Sequence, residues 1–284
     1  MRIALAVVLL FTALAARARN WTPVADVLGR SGTSLPGGVY KVSFPRSDLE
    51  VVADGVHVKP GLALGSWAAF LESGMVMGDL VLLESEVNDV IDVLQAGGIE
   101  QSALHNHLTG EQPHVMYLHF DAHGDVVAIA RTLRAALEKT NTPMVPPAAS
   151  MPASIDLPTA DLDRIIGASG KAAGGVWQFS VARGERITAL KMELPPAAGV
   201  ATAINFQPTG NGRAAISGDF VMTAGEVNKV IRALRRGNIK ITALHSHMLD
   251  ESPRLFFMHF WANDDAVALA KTLRAALDVM NVKR

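Results

Sequence analysis

The sequence predicts an α+β fold built as a tandem repeat of two homologous modules, each a mainly antiparallel sheet with helices on one face. Three observations predict it. Residues 78–138 and 218–278 align without a gap and are identical at 30 of 61 positions, so one architecture is written twice. Within each copy the apolar spacing alternates between the period of strands and the period of helices. Between the copies lies a proline-dense stretch, 142–158, which disfavours both and reads as an extended connector. The expected organisation is a first module at 22–141, the linker at 142–158 and a second module at 159–281.

In the first module Val24–Leu28 starts a short helix, matched by Leu162–Ile166 in the second. Val39–Phe44, Val51–Val58, Ser66–Leu71 and Met75–Leu83 are rich in β-branched and aromatic residues and read as strands of a meander. Val87, Val90, Ile91 and Leu94 fall on one helical stripe that Gly97-Gly98 ends. Residues 99–108 and 115–121 form a hairpin, and a second helix follows from about Asp125 to Lys139, with Ile129, Ala130, Leu133 and Leu137 inward. The order is β-meander, then βαββα. The outer repeat extends through Gly37-Gly38-Val39-Tyr40, matched by Gly174-Gly175-Val176-Trp177.

The chain opens on Met1-Arg2, an apolar run from Ile3 to Leu14, and Ala16-Arg17-Ala18. This pattern predicts a signal peptide at 1–18 with cleavage after Ala18, hence export to a periplasm or the extracellular space as a soluble protein. No later segment is apolar for long enough to form a transmembrane helix. Net charge is −1, and no basic stripe interleaved with aromatics suggests nucleic acid. Cysteine is absent, which excludes disulfides, thiolate metal sites and thiol catalysis. No phosphate loop, dinucleotide fingerprint or nucleophile elbow is present.

The chemistry-bearing signal lies in the predicted hairpin. His105, His107, Glu111 and His119 recur as His245, His247, Glu251 and His259. Strand alternation puts His105 and His107 on one sheet face, with His119 on the return strand across from or diagonal to His105. Met116, Leu118 and Phe120 take the opposite, helix-covered face. Three imidazoles with a nearby carboxylate suit a divalent transition metal such as zinc, manganese, iron or copper. The six histidines are therefore the candidate metal ligands, and Glu111 and Glu251 the candidate ligand or general base. With the two modules related by an approximate two-fold, the histidine faces meet near a shared cleft. Gly78-Asp79 and Gly218-Asp219 open matched strands and read as turn residues, with metal ligand the alternative for the aspartates. Glu86 and Glu226 read as helix-dipole acids, and Tyr117 and Phe257 as core. His57, His114 and His123 have no histidine counterpart in the second copy and read as non-essential.

Residues 38–46, 65–70, 77–82 and 103–108 together resemble the LppY/LpqO family of exported proteins and lipoproteins of unknown function. The resemblance implies export and a duplicated domain, and assigns no catalytic residue. The lipobox cysteine of its lipoprotein members is missing here, so a lipid anchor is not implied. The spacing His105-x-His107-x-x-x-Glu111 is also similar to the first metal motif of cupins, but helices flank this hairpin where a cupin is nearly all β. The function expected is metal-dependent chemistry on a small-molecule or saccharide-like envelope ligand. A metal-buffering protein and a metal-free envelope ligand-binding module are the alternatives.

Overall fold

The computed structural model describes residues 19–145 and 154–283. The expected leader, 1–18, and the middle of the linker, 146–153, lie outside the described residues. Each module is an α+β unit in which a six-stranded antiparallel sheet carries helices on one face.

The first module comprises α1 (Thr22–Leu28), β1 (Thr33–Leu35), β2 (Val39–Pro45), β3 (Val52–Ala53), β4 (Val56–His57), α2 (Pro60–Ala63), β5 (Gly65–Leu71), β6 (Met75–Leu83), α3 (Val87–Ala96), β7 (Glu100–His105), β8 (Val115–His123) and α4 (Val126–Leu137). The second comprises α5 (Thr159–Ile166), β9 (Lys171–Ala173), β10 (Val176–Ala182), β11 (Thr188–Ala189), β12 (Met192–Glu193), β13 (Ala201–Gly210), β14 (Arg213–Met222), α6 (Ala224–Arg236), β15 (Lys240–His245), β16 (Phe256–Asp265) and α7 (Ala266–Leu277). The sheet orders are β1-β2-β5-β6-β8-β7 and β9-β10-β13-β14-β16-β15. Two expected strands are shorter than their patterns suggested, and the one expected at 99–108 ends at His105, so that His107 lies in the loop beyond it. Val51–Val58 is a miniature β3–β4 hairpin apart from the main sheet, because Asp54 and Gly55 take positive φ and turn the chain tightly.

The helices pack where the periodicity put them. Leu118 and Phe120 of β8 join Val90 and Leu94 of α3 and Ile129, Leu133 and Leu137 of α4 in one core. Met258 and Phe260 do the same with α6 and α7 in the second module. Each such side chain taken fully out of water contributes about 1.5–3 kcal/mol. Asp125 caps α4 by accepting from Val127 N at 2.9 Å, and Asp265 caps α7 through Ala268 N. Glu86 and Glu226 do more than favour a helix dipole. Each is buried against a buried arginine, Arg46 or Arg183, and each accepts a backbone N–H at its helix start.

The sheet faces turned away from the helices are covered by the opposite module. Val39, Leu71 and Met77 pack with Ile187, Val200 and Phe257. Leu62, Val81 and Tyr117 pack with Val176, Ala215 and Trp261. Each module sends the excursion between the second and third strands of its six-stranded sheet across to the other. Lys59 N donates to Gln207 Oε1, Gln207 Nε2 returns to His57 O, and Gln178 Nε2 reaches Gly61 O. The result is four layers, helix, sheet, sheet, helix, with the two inner faces joined by exchanged arms.

Candidate metal centre

Sheet register fixes the site before any side chain is considered. One row across the first sheet runs Ser43, Trp67, Asp79, His119, Ala103. The same row in the second sheet runs Ser180, Ala203, Asp219, His259, Ala243. Each return-strand histidine therefore stands beside an aspartate, and diagonal to His105 or His245, which pair with Tyr117 and Phe257.

A β-bulge in each edge strand completes the placement. Ser102 and Thr242 are the extra residues, and each uses its hydroxyl on the other module. Ser102 Oγ donates to His247 O, and Thr242 Oγ1 donates to His107 O. Asn106 Nδ2 also reaches Thr242 O at 3.0 Å. The bulges thus fasten each histidine loop to the opposite edge strand, a use that regular pairing does not allow.

The six histidines meet between the sheets as one stack. His105 and His245 face each other on the pseudo-two-fold, with ring centroids 3.6 Å apart. His107 lies 3.6 Å from His259, and its symmetry mate His247 lies 3.8 Å from His119. Tyr117 and Phe257 back the loop histidines, with ring centroids 3.3 Å from His107 and 3.5 Å from His247. They are core residues, as their type suggested, and they also set the imidazole planes. Tyr117 Oη donates to Ala63 O, which satisfies the buried hydroxyl.

The Nε2 atoms of all six histidines are buried and without a hydrogen-bond partner. Four of the rings are anchored through their other nitrogen, whereas neither ring nitrogen of His245 has a partner. His105 Nδ1 donates to Asn106 O at 3.0 Å and His259 Nδ1 to Gly218 O at 2.8 Å. His119 and His247 bond the backbone at Gly78 and Gly199. Anchoring one ring nitrogen on a carbonyl fixes the tautomer and leaves the other nitrogen as a lone-pair donor, the outer arrangement of a ligating histidine. Gly78 and Gly218 leave room for the sheet packing beside the site, since a Cβ there would overlap Trp67 O and the Phe120 ring, or Ala203 O and the Phe260 ring.

The turn reading of Asp79 and Asp219 is overturned. Both lie inside long strands and aim at the histidines, Asp79 buried and Asp219 half-buried. Asp79 Oδ2 is 3.6 Å from His107 Nε2 and 3.9 Å from His119 Nε2. Asp219 Oδ2 is 3.1 Å from His247 Nε2, without the alignment of a hydrogen bond. The sequence signal that could have found them was the identical Gly-Asp pair in both copies, two strands from the histidines.

Four overlapping sets of donor atoms lie within 4.8 Å of one another: His105, His119, His245; His105, His107, His259; His245, His247, His259; and Asp79, His107, His119. These residues can hold a metal ion. Glu111 and Glu251 stand outside all four sets. Glu111 Oε1 contacts His114 Nδ1 at 2.8 Å and accepts from Val115 N. Glu251 Oε1 accepts from Leu255 N at 2.9 Å, and its Oε2 pairs with Arg254. Both carboxylates tie the histidine loop to its return strand.

Burial dominates the electrostatics. It lowers the pKa of every one of the six imidazoles, to about 4 for His105 and His259, and neighbouring imidazoles push the other four down further. The rings are neutral at pH 7, the form that binds metal. Burial raises Asp79 to about 8, with the Asp219 charge adding to it, and raises Asp219 to about 6. A cation among these groups would reverse both shifts by favouring the carboxylates.

Fold and site define a duplicated α+β protein with a buried, inter-module histidine–aspartate centre. The chain belongs to the family described as Domain of Unknown Function (DUF1259), whose model matches it twice, over residues 22–139 and 160–279. No curated protein matches it. Similar solved structures include the trimeric bacterial microcompartment shell protein PduB, at 15% identity over 88% of this chain and 89% of that one, TM-score 0.23. EtuB from Clostridium kluyveri is similar at 14% identity over 87% and 88%, TM-score 0.21. Neither likeness carries an argument about function. Among the described residues, no helix is long and apolar enough to cross a membrane.

Proposed function

We propose that the centre between the modules binds one or two divalent transition-metal ions and supports metal-dependent chemistry on a small or saccharide-like envelope substrate. The observation that carries this reading is the set of six buried Nε2 atoms, facing one another with no hydrogen-bond partner. Burying unpaired polar atoms costs about 1–3 kcal/mol each, and a bound cation replaces that cost with ligand bonds. In our reading His105, His107, His119, His245, His247 and His259 are the ligands, and Asp79 and Asp219 supply the carboxylates first expected from Glu111 and Glu251. Those two glutamates then act on the site by holding the loops that carry His107 and His247. When bound, the ion acts as a Lewis acid and activates a water molecule.

Substrate reaches the centre beside His107 or His245 in this reading, because these two are only partly buried while His119 and His259 are almost fully enclosed. Export through the 1–18 leader, the linker at 142–158 and a place in the LppY/LpqO group belong to the same proposal. A closed metal store is the second reading, favoured by the donor count. Six imidazoles and two carboxylates suffice to fill two four-coordinate ions.

Elemental analysis of protein purified without tag or chelator tests the proposal. One or two metal equivalents are expected, and the variant His105→Ala/His119→Ala should lose at least one while its circular dichroism is unchanged. No metal after reconstitution with zinc, manganese, iron and copper in turn overturns it. Exchangeable water on the ion, read by proton relaxation of the manganese- or copper-loaded protein, supports chemistry, whereas its absence supports the store.

A further inference from the structure

On the far side of the second module, away from the histidines, α6 and α7 enclose an open groove of about 460 Å³. Lys229, Arg232 and Arg236 line it from α6, and Lys271 lines it from α7. Their i, i+3, i+7 spacing sets three cations along one helix face over roughly 10 Å. All four are exposed, and among the described residues none is held in an ion pair or hydrogen bond. Arg235 and Arg274, by contrast, are occupied by Ile239 O and by Asp278 with Ile166 O.

The internal repeat supplies a control for what the fold itself requires. The groove's floor is the same in both modules: Gly237 packs on Thr272 as Gly97 packs on Thr132, too close in either case for a Cβ. Its charge is not the same. Asp89, Asp92, Ala96 and Arg131 stand where the second module has Lys229, Arg232, Arg236 and Lys271. Helix stability explains only part of the change, since Asp89 lies in the first turn of α3, where the dipole favours an acid. A cation at Arg236 favours the C-terminal dipole, but Lys229 and Arg232 lie before the last turn, and like charges at i, i+3 and i+4 repel.

We propose that the α6–α7 groove binds a small soluble polyanion carrying several linked phosphate groups. The arginine forks match phosphate oxygens two at a time, and Lys229 and Lys271 add point charges. The length of the cationic row favours an extended anion over a single phosphate. Val279 is the only large apolar side chain on the groove's rim, at 37% exposure, which gives little to insert into a lipid surface.

The test is calorimetric titration of the whole chelator-treated protein with sodium tripolyphosphate at low and moderate salt. One equivalent should bind, more weakly as salt rises. Lys229→Asp/Arg232→Asp restores residues that the matching helix of the same chain already carries, and should weaken binding by about tenfold or more. The reciprocal graft Asp89→Lys/Asp92→Arg should create a second, weaker equivalent. Metal content should be unchanged in both variants, so failure here is separable from failure of the metal centre. Absence of binding at low salt, binding unaltered by the α6 variant, or binding to anionic vesicles but not to tripolyphosphate would overturn the proposal.

Discussion

The histidine stack makes a quantitative prediction about acid. Take the chelator-treated protein from pH 7.5 to pH 5. Each of the six imidazoles is held neutral in the fold with its pKa lowered by burial, whereas in the unfolded chain it binds a proton near pH 6.5. The stability such a group contributes is present above pH 6.5 and is lost as pH falls toward its folded value. Over this interval the loss is about 2 kcal/mol per histidine, hence about 12 for six. Asp79 and Asp219 act in the opposite sense. Raised to about 8 and about 6, they hold protons in the fold that the unfolded chain releases, so they stabilise as pH falls. Together they return about 5 kcal/mol, leaving a net loss of about 7. That is comparable with the whole stability of an ordinary domain, about 5–15 kcal/mol, so the metal-free protein should approach unfolding near pH 5. Urea titrations at both pH values, followed by tryptophan fluorescence, measure the difference. The variant His105→Leu/His245→Leu should recover about 4 kcal/mol of it, two histidines' share. A difference under about 2 kcal/mol in the parent protein would refute the reasoning, because it would mean that the rings titrate freely in the fold.

Other consequences are more local. Asp79→Asn should weaken metal affinity about 10–100-fold without unfolding the chain, read by competition with a chromophoric chelator, and Asp219→Asn should do the same. Arg46 is fully buried and binds Glu86, Asp48 and Val81 O, so Arg46→Met should cost about 3–5 kcal/mol in urea unfolding. The double variant Arg46→Met/Glu86→Met should cost less than the single one, since no charge is then left buried alone.

The repeat made much of this molecule readable in one dimension. The β8 sequence Val115-Met116-Tyr117-Leu118-His119-Phe120 alternates so regularly that its helix side and its histidine side follow from strand geometry alone. The α3 and α4 stripes place the helices on the apolar side, and the unfavourable fit of three histidines in an apolar layer sends them to the other. The relation of His119 to His105 was legible only as across or diagonal, and the register that pairs His105 with Tyr117 makes it diagonal.

Asp79 was not legible in this way. A Gly-Asp pair has the composition of a turn, and only β6 lying beside β8 turns Asp79 into the neighbour of His119. Glu111 shows the converse. Its distance along the chain from His107 suggests a shared ligand set, yet the loop folds back and one of its two carboxylate oxygens is held by Val115 N and His114. Backbone donors at a turn compete for a carboxylate, and spacing does not reveal which wins.

What the sequence by itself determined is therefore everything governed by local period: two α+β modules, the faces of their strands and helices, and which side chains each module turns away from its helices. What only the tertiary structure decided is how these two faces, expected to meet near a shared cleft, interlock as one site. His105 meets His245, His107 meets His259, and Ser102 and Thr242 hold the opposite loops, through contacts between residues about 140 positions apart. Such contacts depend on how two twisted sheets pack and exchange their arms, and that geometry is written in no single segment of the chain.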